Sequence, residues 1–110
     1  MQSAFFEWMH YTHRRVRAVS FAIPNDGKRS AKEGYFAKLR GMTPGIPDTF
    51  MSIARGPYHG LYIEFKIHPN KPTNAQLAKI ISLTQEGYMC AICYTLEEGK
   101  KTLNFYLELK

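Results

Sequence analysis

The sequence predicts an α/β fold, a single domain over residues 1–110 in which helices flank a mixed β-sheet. A chain of 110 residues has the length of one domain rather than two. Its composition is 45% apolar and includes seven Phe, seven Tyr and one Trp, which are enough bulky side chains for a core. Helical and strand-like hydrophobic patterns alternate along the chain in the order α-β-α-β-β-α-β-α.

Two helices and one short strand are predicted in the first 41 residues. Apolar side chains near helical spacing indicate a helix over 3–17, and a short apolar strand follows over 19–23. Ser30 and Glu33 form the S-x-x-E pattern that caps a helix N-terminus, which predicts a helix over 31–40. The glycine that follows suits the C-terminal end of that helix.

Two strands and a third helix come next. The strands are predicted over 48–54 and 61–67, with glycines and a proline between them that favour a hairpin connection. The second strand alternates apolar and polar side chains, so one of its faces is buried. Thr73 and Gln76 repeat the capping-box pattern at the start of a helix that ends at Gly87.

The last predicted strand covers 88–95 and contains both cysteines. Its near-continuous apolar sequence is typical of a strand buried on both faces. Cys90 and Cys93 have C-x-x-C spacing, but residues three apart on a strand point to opposite faces, so we expect two buried free thiols. A helix over 96–109 closes the domain, with a strand as the alternative.

The charge of the chain favours a polyanionic partner. Fifteen Lys and Arg against nine Asp and Glu give a net charge of +6, and most of the excess lies in the first 40 residues. A basic half of this kind is typical of nucleic-acid-binding proteins, although it also occurs on ordinary soluble surfaces. No apolar run is long enough to span a membrane, and the N-terminus lacks the pattern of a secretory signal. We therefore expect an intracellular protein.

Three charged residues carry the predicted chemistry. Asp48 opens one strand, and Glu64 and Lys66 lie two apart on the next, so they share a face. A hairpin between the strands brings both carboxylates and the ammonium to one edge of the sheet. Paired carboxylates suit Mg²⁺, and an adjacent lysine suits metal-assisted phosphodiester hydrolysis. The same pattern also arises by chance on a strand with one solvated face.

The residues around this group resemble a known nuclease family. The segments that carry the resemblance are GMTPGIPD ending at Asp48, GLYIEFK ending at Lys66, Gln76, the Gly87-Tyr88 pair, and AIPNDGKR ending at Arg29. Their order and spacing resemble the virus-type replication-repair nuclease (VRR-NUC) domain of the PD-(D/E)xK superfamily. The resemblance covers nearly the whole chain and implies a restriction-endonuclease-like core.

The resemblance implies a role for each residue of the central motif. Asp48 and Glu64 would be the metal-binding carboxylates, and the backbone carbonyl of Phe65 would be a further ligand. Lys66 would position the attacking water. The metal would be Mg²⁺ or Mn²⁺, and no small-molecule cofactor is implied.

Two further site residues follow from the same resemblance, each with an alternative role. Gln76 matches the glutamine that opens the helix after the E-x-K strand and contacts the active site, although it also suits the capping box of that helix. The two roles are compatible. Glu7 matches an acidic residue of the first helix that reaches the metal, but a pairing with Arg14 or simple solvation would explain it as well.

Basic residues upstream of the motif are the predicted DNA contacts. Lys28 and Arg29 lie in a predicted turn and Lys32 lies on the helix that follows it. We expect these residues to bind phosphates, which fixes position on DNA without reading its sequence. Asp26 departs from the family pattern, which usually has a glycine there, and this puts the shape of the turn in question.

Together these features predict a structure-selective DNA endonuclease. A small domain with a complete catalytic set suits a homodimer with two symmetric active sites, and four-way (Holliday) junctions require two symmetric nicks. We expect such an enzyme in the cytoplasm of a bacterium or of a phage-infected cell. The alternatives are a flap or general DNA nuclease, a non-catalytic DNA-binding module of the same fold, and an RNA-directed nuclease. The last lacks an evident aromatic stacking motif.

Overall fold

The computed structural model describes residues 1–24 and 30–110. The elements are α1 (Gln2–Thr12), α2 (Arg14–Ala18), β1 (Ser20–Ala22), α3 (Ala31–Leu39), β2 (Thr49–Met51), β3 (Gly60–Phe65), α4 (Asn74–Gln85), β4 (Tyr88–Cys93) and α5 (Leu96–Leu107). Among these residues, no helix has the length and apolar character needed to cross a membrane. The predicted α/β class and the predicted order of elements are confirmed.

The four strands form one mixed sheet in the order β1-β2-β3-β4. The first three strands are antiparallel, with Phe21 opposite Phe50 and Phe50 opposite Tyr62. The last pair, β3 and β4, is parallel and starts with Gly60 opposite Tyr88. Helix α4 makes the crossover between them, as a parallel connection requires. The sheet edge at the end of β3 therefore receives both the start of β2 and the start of α4.

The two faces of the sheet have different roles. One face packs against α1 and α5 and forms the core, whose buried members include Phe5, Met9, Leu61, Ile63, Leu103 and Tyr106. Helix α4 packs on β4 and reaches the opposite face, where Gln76 bonds Glu64. Successive side chains of β3 point to opposite faces of the sheet. The odd-numbered side chains therefore enter the core, and the even-numbered ones lie on the face toward α4.

The first helix is interrupted, contrary to the prediction of one helix over 3–17. His13 has φ −134° and ψ 67°, which ends α1 and starts α2. The His13 ring is held by a 3.0 Å hydrogen bond between its Nε2 and Asn104 Oδ1 of α5. The change of direction buries Val16 against the core. A contact 91 residues away in the sequence thus overrides the local helical pattern.

The prediction that the last strand is buried on both faces is wrong. β4 is an edge strand, and only Cys93 of its six residues is fully buried. Helices α4 and α5 each cover part of it. The two cysteines are free thiols on opposite faces, as predicted, but Cys90 is only partly buried. The apolar sequence of β4 reflects its contacts with a helix on each face rather than complete burial of the strand.

Tyr106→Phe is expected to lower the free energy of unfolding by about 1–2 kcal/mol, because it leaves the partly buried Ile53 carbonyl without its donor. The fully buried Tyr106 hydroxyl donates to the Ile53 carbonyl at 2.6 Å, tying α5 to the segment after β2. Urea unfolding followed by circular dichroism measures the change. Tyr11→Phe, on an exposed tyrosine, is the matched control. Equal stability of the two variants would contradict this assignment.

Candidate active site

Two carboxylates meet where β2 begins and β3 ends. The antiparallel register places Thr49 opposite Ile63, so Asp48 and Glu64 are the next pair along the ladder. The Asp48 backbone N–H donates to Glu64 Oε1 at 3.0 Å. Glu64 is buried, with 5% of its surface exposed, whereas Asp48 is half-buried. The predicted meeting of the two carboxylates is confirmed.

Lys66 completes the predicted group of charges. Its Nζ lies 3.5 Å from Glu64 Oε2, and the side chain is only 15% exposed. Its backbone N–H donates to the Cys93 carbonyl at 2.9 Å, which continues the parallel ladder one residue past β3. This bond keeps Lys66 on the same face as Glu64, as strand alternation predicts.

Gln76 caps α4 and also contacts Glu64, and its role in catalysis stays a prediction. Its side-chain Oε1 accepts from the Thr73 N–H at 2.9 Å and its backbone N–H donates to Thr73 Oγ1 at 3.1 Å, which is a complete capping box. The remaining amide group, Nε2, donates to Glu64 Oε2 at 3.1 Å. The cap orients the amide, so the N-terminus of α4 is joined directly to the buried carboxylate.

A close backbone contact holds the segment before Asp48 against α4. Gly45 has φ +85°, and a Cβ atom at this position would lie 2.4 Å from the Ala75 carbonyl oxygen. Only glycine permits this approach. The loop that delivers Asp48 is therefore packed against the same helical turn that delivers Gln76.

The burial of the two carboxyls raises their pKa values. Desolvation raises the pKa of Asp48, and a backbone hydrogen bond with Phe65 and the Lys66 charge partly oppose it. Desolvation also raises the pKa of Glu64, and the negative charge of Asp48 raises it further against the opposing effect of Lys66. The site thus concentrates more negative charge than its one lysine neutralises, a common feature of functional sites.

This donor set fits a hard divalent cation. Two adjacent carboxylates are the number that Mg²⁺ commonly takes from a protein, with waters and phosphate oxygens completing its shell. A cation between Asp48 and Glu64 would offset the negative charge of Asp48 that raises the pKa of Glu64, and it would favour the charged form of both carboxyls. The Phe65 backbone lies beside the Asp48 carboxylate. Its carbonyl remains a predicted ligand.

The structure does not bring Glu7 to this pair. Glu7 is exposed and lines a groove between α1 and the start of α5, together with Trp8, Leu96 and Lys100. Within residues 1–24 and 30–110, no three acidic, His or Cys side chains are grouped as metal ligands. The buried face of α1 begins with Phe5, and helical geometry turns Glu7 away from it. A direct metal contact from Glu7 therefore has no support in this arrangement.

The predicted DNA contacts are only partly described. Lys28 and Arg29 lie outside the described residues. Lys32 is exposed in the first turn of α3, whose N-terminus is capped by Ser30 as predicted, with Ser30 Oγ accepting from the Glu33 N–H at 3.1 Å. Lys32 is therefore accessible to a phosphate, and its role stays a prediction.

A set of aromatic side chains beside the carboxylates was not predicted. Phe50 lies two residues after Asp48 on β2, and Tyr62 lies two residues before Glu64 on β3. Residues two apart on a strand share a face, so the sequence contained the signal that these rings lie on the active-site face. Their ring centroids are 4.3 Å apart.

Gly45→Ala is expected to destabilise the domain by about 2 kcal/mol or more, because the added Cβ meets backbone atoms that cannot move aside. Gly41→Ala is the matched control, since Gly41 also has a positive φ of +90° but open space around its Cα. Thermal unfolding of both variants separates the close contact from the conformational strain. Equal losses in Tm would show that the contact with α4 contributes nothing.

Asp48→Asn is expected to raise Tm by a few degrees in metal-free buffer, since it removes a half-buried negative charge beside the buried Glu64 carboxylate. The raised pKa values of Asp48 and Glu64 mean that the folded state holds these protons more tightly than the unfolded state. The protonated carboxyls stabilise the folded state below the ordinary Asp pKa of 3.8. This stabilisation is lost as the pH rises through the higher pKa values of the folded state.

The Tm difference between Asp48→Asn and the wild-type protein should therefore grow from about pH 4 to about pH 7. Differential scanning fluorimetry across this range measures it. Glu33→Gln, on an exposed carboxylate of α3, should show no such growth. A constant or shrinking difference for Asp48→Asn would contradict the repulsion between the carboxylates.

Comparison with known proteins identifies the fold. A solved structure described as a VRR_NUC domain protein matches this chain with a TM-score of 0.85 and 27% sequence identity. The match covers 98% of this chain and 85% of that chain. No family model and no curated protein matches the sequence. Because the fold agrees over nearly the whole chain, in keeping with the motifs around Asp48, Glu64 and Lys66, this chain has the nuclease-type fold of a VRR-NUC domain.

Proposed function

We propose that this protein is a Mg²⁺- or Mn²⁺-dependent DNA endonuclease. The observation that carries the proposal is the group formed by Asp48, Glu64 and Lys66, in which two adjacent carboxylates face one lysine ammonium 3.5 Å from Glu64. Burial raises the pKa values of both carboxyls, so a bound cation would stabilise their charged forms. The net charge of +6 suits a polyanionic substrate.

Asp48 and Glu64 would hold the metal ion, with the Phe65 carbonyl as a further ligand. When bound, such an ion lowers the pKa of a water and offsets charge on the phosphate during in-line attack. The chain itself supplies the placement of the ligands. The Asp48 N–H and the Gln76 amide fix the two oxygens of Glu64, so little reorganisation is needed when the substrate arrives.

Lys66 would orient the attacking water and stabilise negative charge on the phosphate. Its ammonium group has three donors, and only Glu64 is within salt-bridge distance among the described carboxylates. The remaining donors can face a water or a phosphate oxygen. Gln76 acts as a positioning residue because it reaches the reaction only through Glu64.

The proposed substrate is branched DNA, in particular four-way junctions, cut by a homodimer. Two active sites related by a two-fold axis match the symmetry of the paired nicks that resolve a junction. Lys32, with Lys28 and Arg29 upstream, would bind the phosphates that position the arms. A flap or general DNA nuclease uses the same chemistry, and substrate comparison separates these possibilities.

Lys66→Ala is expected to reduce cleavage by at least about 100-fold, the usual effect of removing a group that positions the reacting water. DNA binding should be largely retained, because the phosphate contacts proposed to position the DNA, such as Lys32, lie outside this site. The assay uses a fixed four-way junction and a linear duplex of the same sequence, each with Mg²⁺ and with Mn²⁺. Lys101→Ala, on an exposed lysine of α5, is the matched control.

Paired symmetric nicks on the junction alone would support the resolving enzyme. Equal cutting of the linear duplex would retain the nuclease and remove the junction preference. Binding without cutting in either metal would identify a non-catalytic DNA-binding module. Full activity of Lys66→Ala would contradict the proposed role of the lysine.

A further inference from the structure

An aromatic row crosses three strands of the sheet beside the carboxylates. Phe21 of β1, Phe50 of β2 and Tyr62 of β3 are in register with one another. The Phe21 and Phe50 ring centroids are 5.7 Å apart, and those of Phe50 and Tyr62 are 4.3 Å apart. Tyr88 of β4 packs against both Phe50 and Tyr62 from the next position, at 5.8 and 5.5 Å. We call Phe21, Phe50 and Tyr62 the aromatic row.

The aromatic row is adjacent to the proposed active site. Phe50 and Tyr62 form the register pair that comes two residues from Asp48 and Glu64 on the same two strands. Two residues along a strand correspond to about 7 Å, with both pairs on one face. Successive nucleotides of a strand lie at a similar separation. A strand with its phosphate at the carboxylates would therefore place a neighbouring base at the row.

The β1 end of the row is open. Phe21 has 50% of its surface exposed, on the edge strand of the sheet. Helices α1 and α5 pack on the opposite face, and α4 packs on β4 at the far edge. The Phe50 ring lies over the backbone of β3, because a Cβ at Gly60 would be 2.6 Å from Phe50 Cε1. The row thus packs against the backbone of β3 at Phe50 and is accessible to solvent at Phe21.

We propose that the aromatic row binds an unpaired base of the DNA strand being cut, which stacks on Phe21. This inference rests on the proposed nuclease function and adds its substrate class, namely DNA with unpaired bases next to the scissile phosphate. Aromatic side chains beside a positively charged surface are the usual means of holding single-stranded DNA. In fully paired DNA the bases are stacked on one another, so the row has no ligand there.

A second copy of this chain fits the row less well. A protein surface seated on Phe21 and Phe50 would lie about 7 Å from Asp48 and Glu64 and would obstruct access of a phosphate to them. The position of the row therefore favours a nucleic-acid ligand, and the net charge of +6 attracts DNA.

The test compares Phe21→Leu and Phe21→Trp on two DNA substrates. One is a paired duplex, and the other is the same duplex with a short unpaired bubble. Binding is measured by fluorescence anisotropy in EDTA, which prevents cutting, and cleavage is measured separately with Mg²⁺. Leucine keeps an apolar side chain but cannot stack, whereas tryptophan can. Phe105→Leu, on a 58% exposed phenylalanine of α5, is the matched control.

We expect Phe21→Leu to bind the bubble roughly 10-fold more weakly, in line with the loss of one base stack, and to bind the paired duplex unchanged. Phe21→Trp should retain the wild-type affinity for the bubble. Phe105→Leu should match the wild-type protein on both substrates. Cleavage with Mg²⁺ should follow the same order.

Equal affinity of Phe21→Leu and the wild-type protein for the bubble would overturn the inference. An equal loss on both substrates, with a change from dimer to monomer in sedimentation velocity, would overturn it in favour of an interface between copies. If the bubble preference and its loss appear in EDTA but no substrate is cut, the nuclease proposal fails and the base-binding row stands. If DNA is cut without any preference for unpaired bases, only the row fails.

Discussion

The rest of the site depends on keeping the Glu64 carboxylate buried inside a small domain. Burial of a carboxylate is costly unless donors surround it. Here they come from three separate parts of the chain, namely the Asp48 N–H before β2, the Lys66 ammonium after β3 and the Gln76 amide on α4. The hydrogen bonds and the ion pair of Glu64 thus fix the relative positions of β2, β3 and α4. The arrangement that provides Glu64 with its donors is the same one that the proposed catalysis needs.

The fold divides stability and chemistry between the two faces of one sheet. The face toward α1 and α5 holds the apolar core, with Leu61 and Ile63 fully buried. The other face holds Glu64 and the rings of Phe50 and Tyr62. Alternate side chains of β3 lie on the core face and on the active-site face. Core packing therefore fixes the register of β3 with its neighbours, and this register determines which side chains meet at the site.

The charges at the site destabilise the folded state. Burial raises the pKa of both Asp48 and Glu64, and the negative charge of Asp48 raises the pKa of Glu64 further. Lys66 offsets only part of that charge. The close packing of Gly45 on the start of α4 holds the pair together despite the repulsion. Two neighbouring carboxylates whose charged forms a cation would favour are physically consistent with metal-assisted phosphate chemistry.

The sequence by itself determined every feature that depends on short spacing. The α/β order, the caps at Ser30 and Thr73 and the shared face of Glu64 and Lys66 all follow from residues two to four apart, where backbone geometry is predictable. Tertiary structure alone decided the break at His13, the exposure of β4 and the position of Glu7 away from the carboxylates. These depend on contacts between residues distant in the chain, such as that of His13 with Asn104, which a local hydrophobic period does not encode.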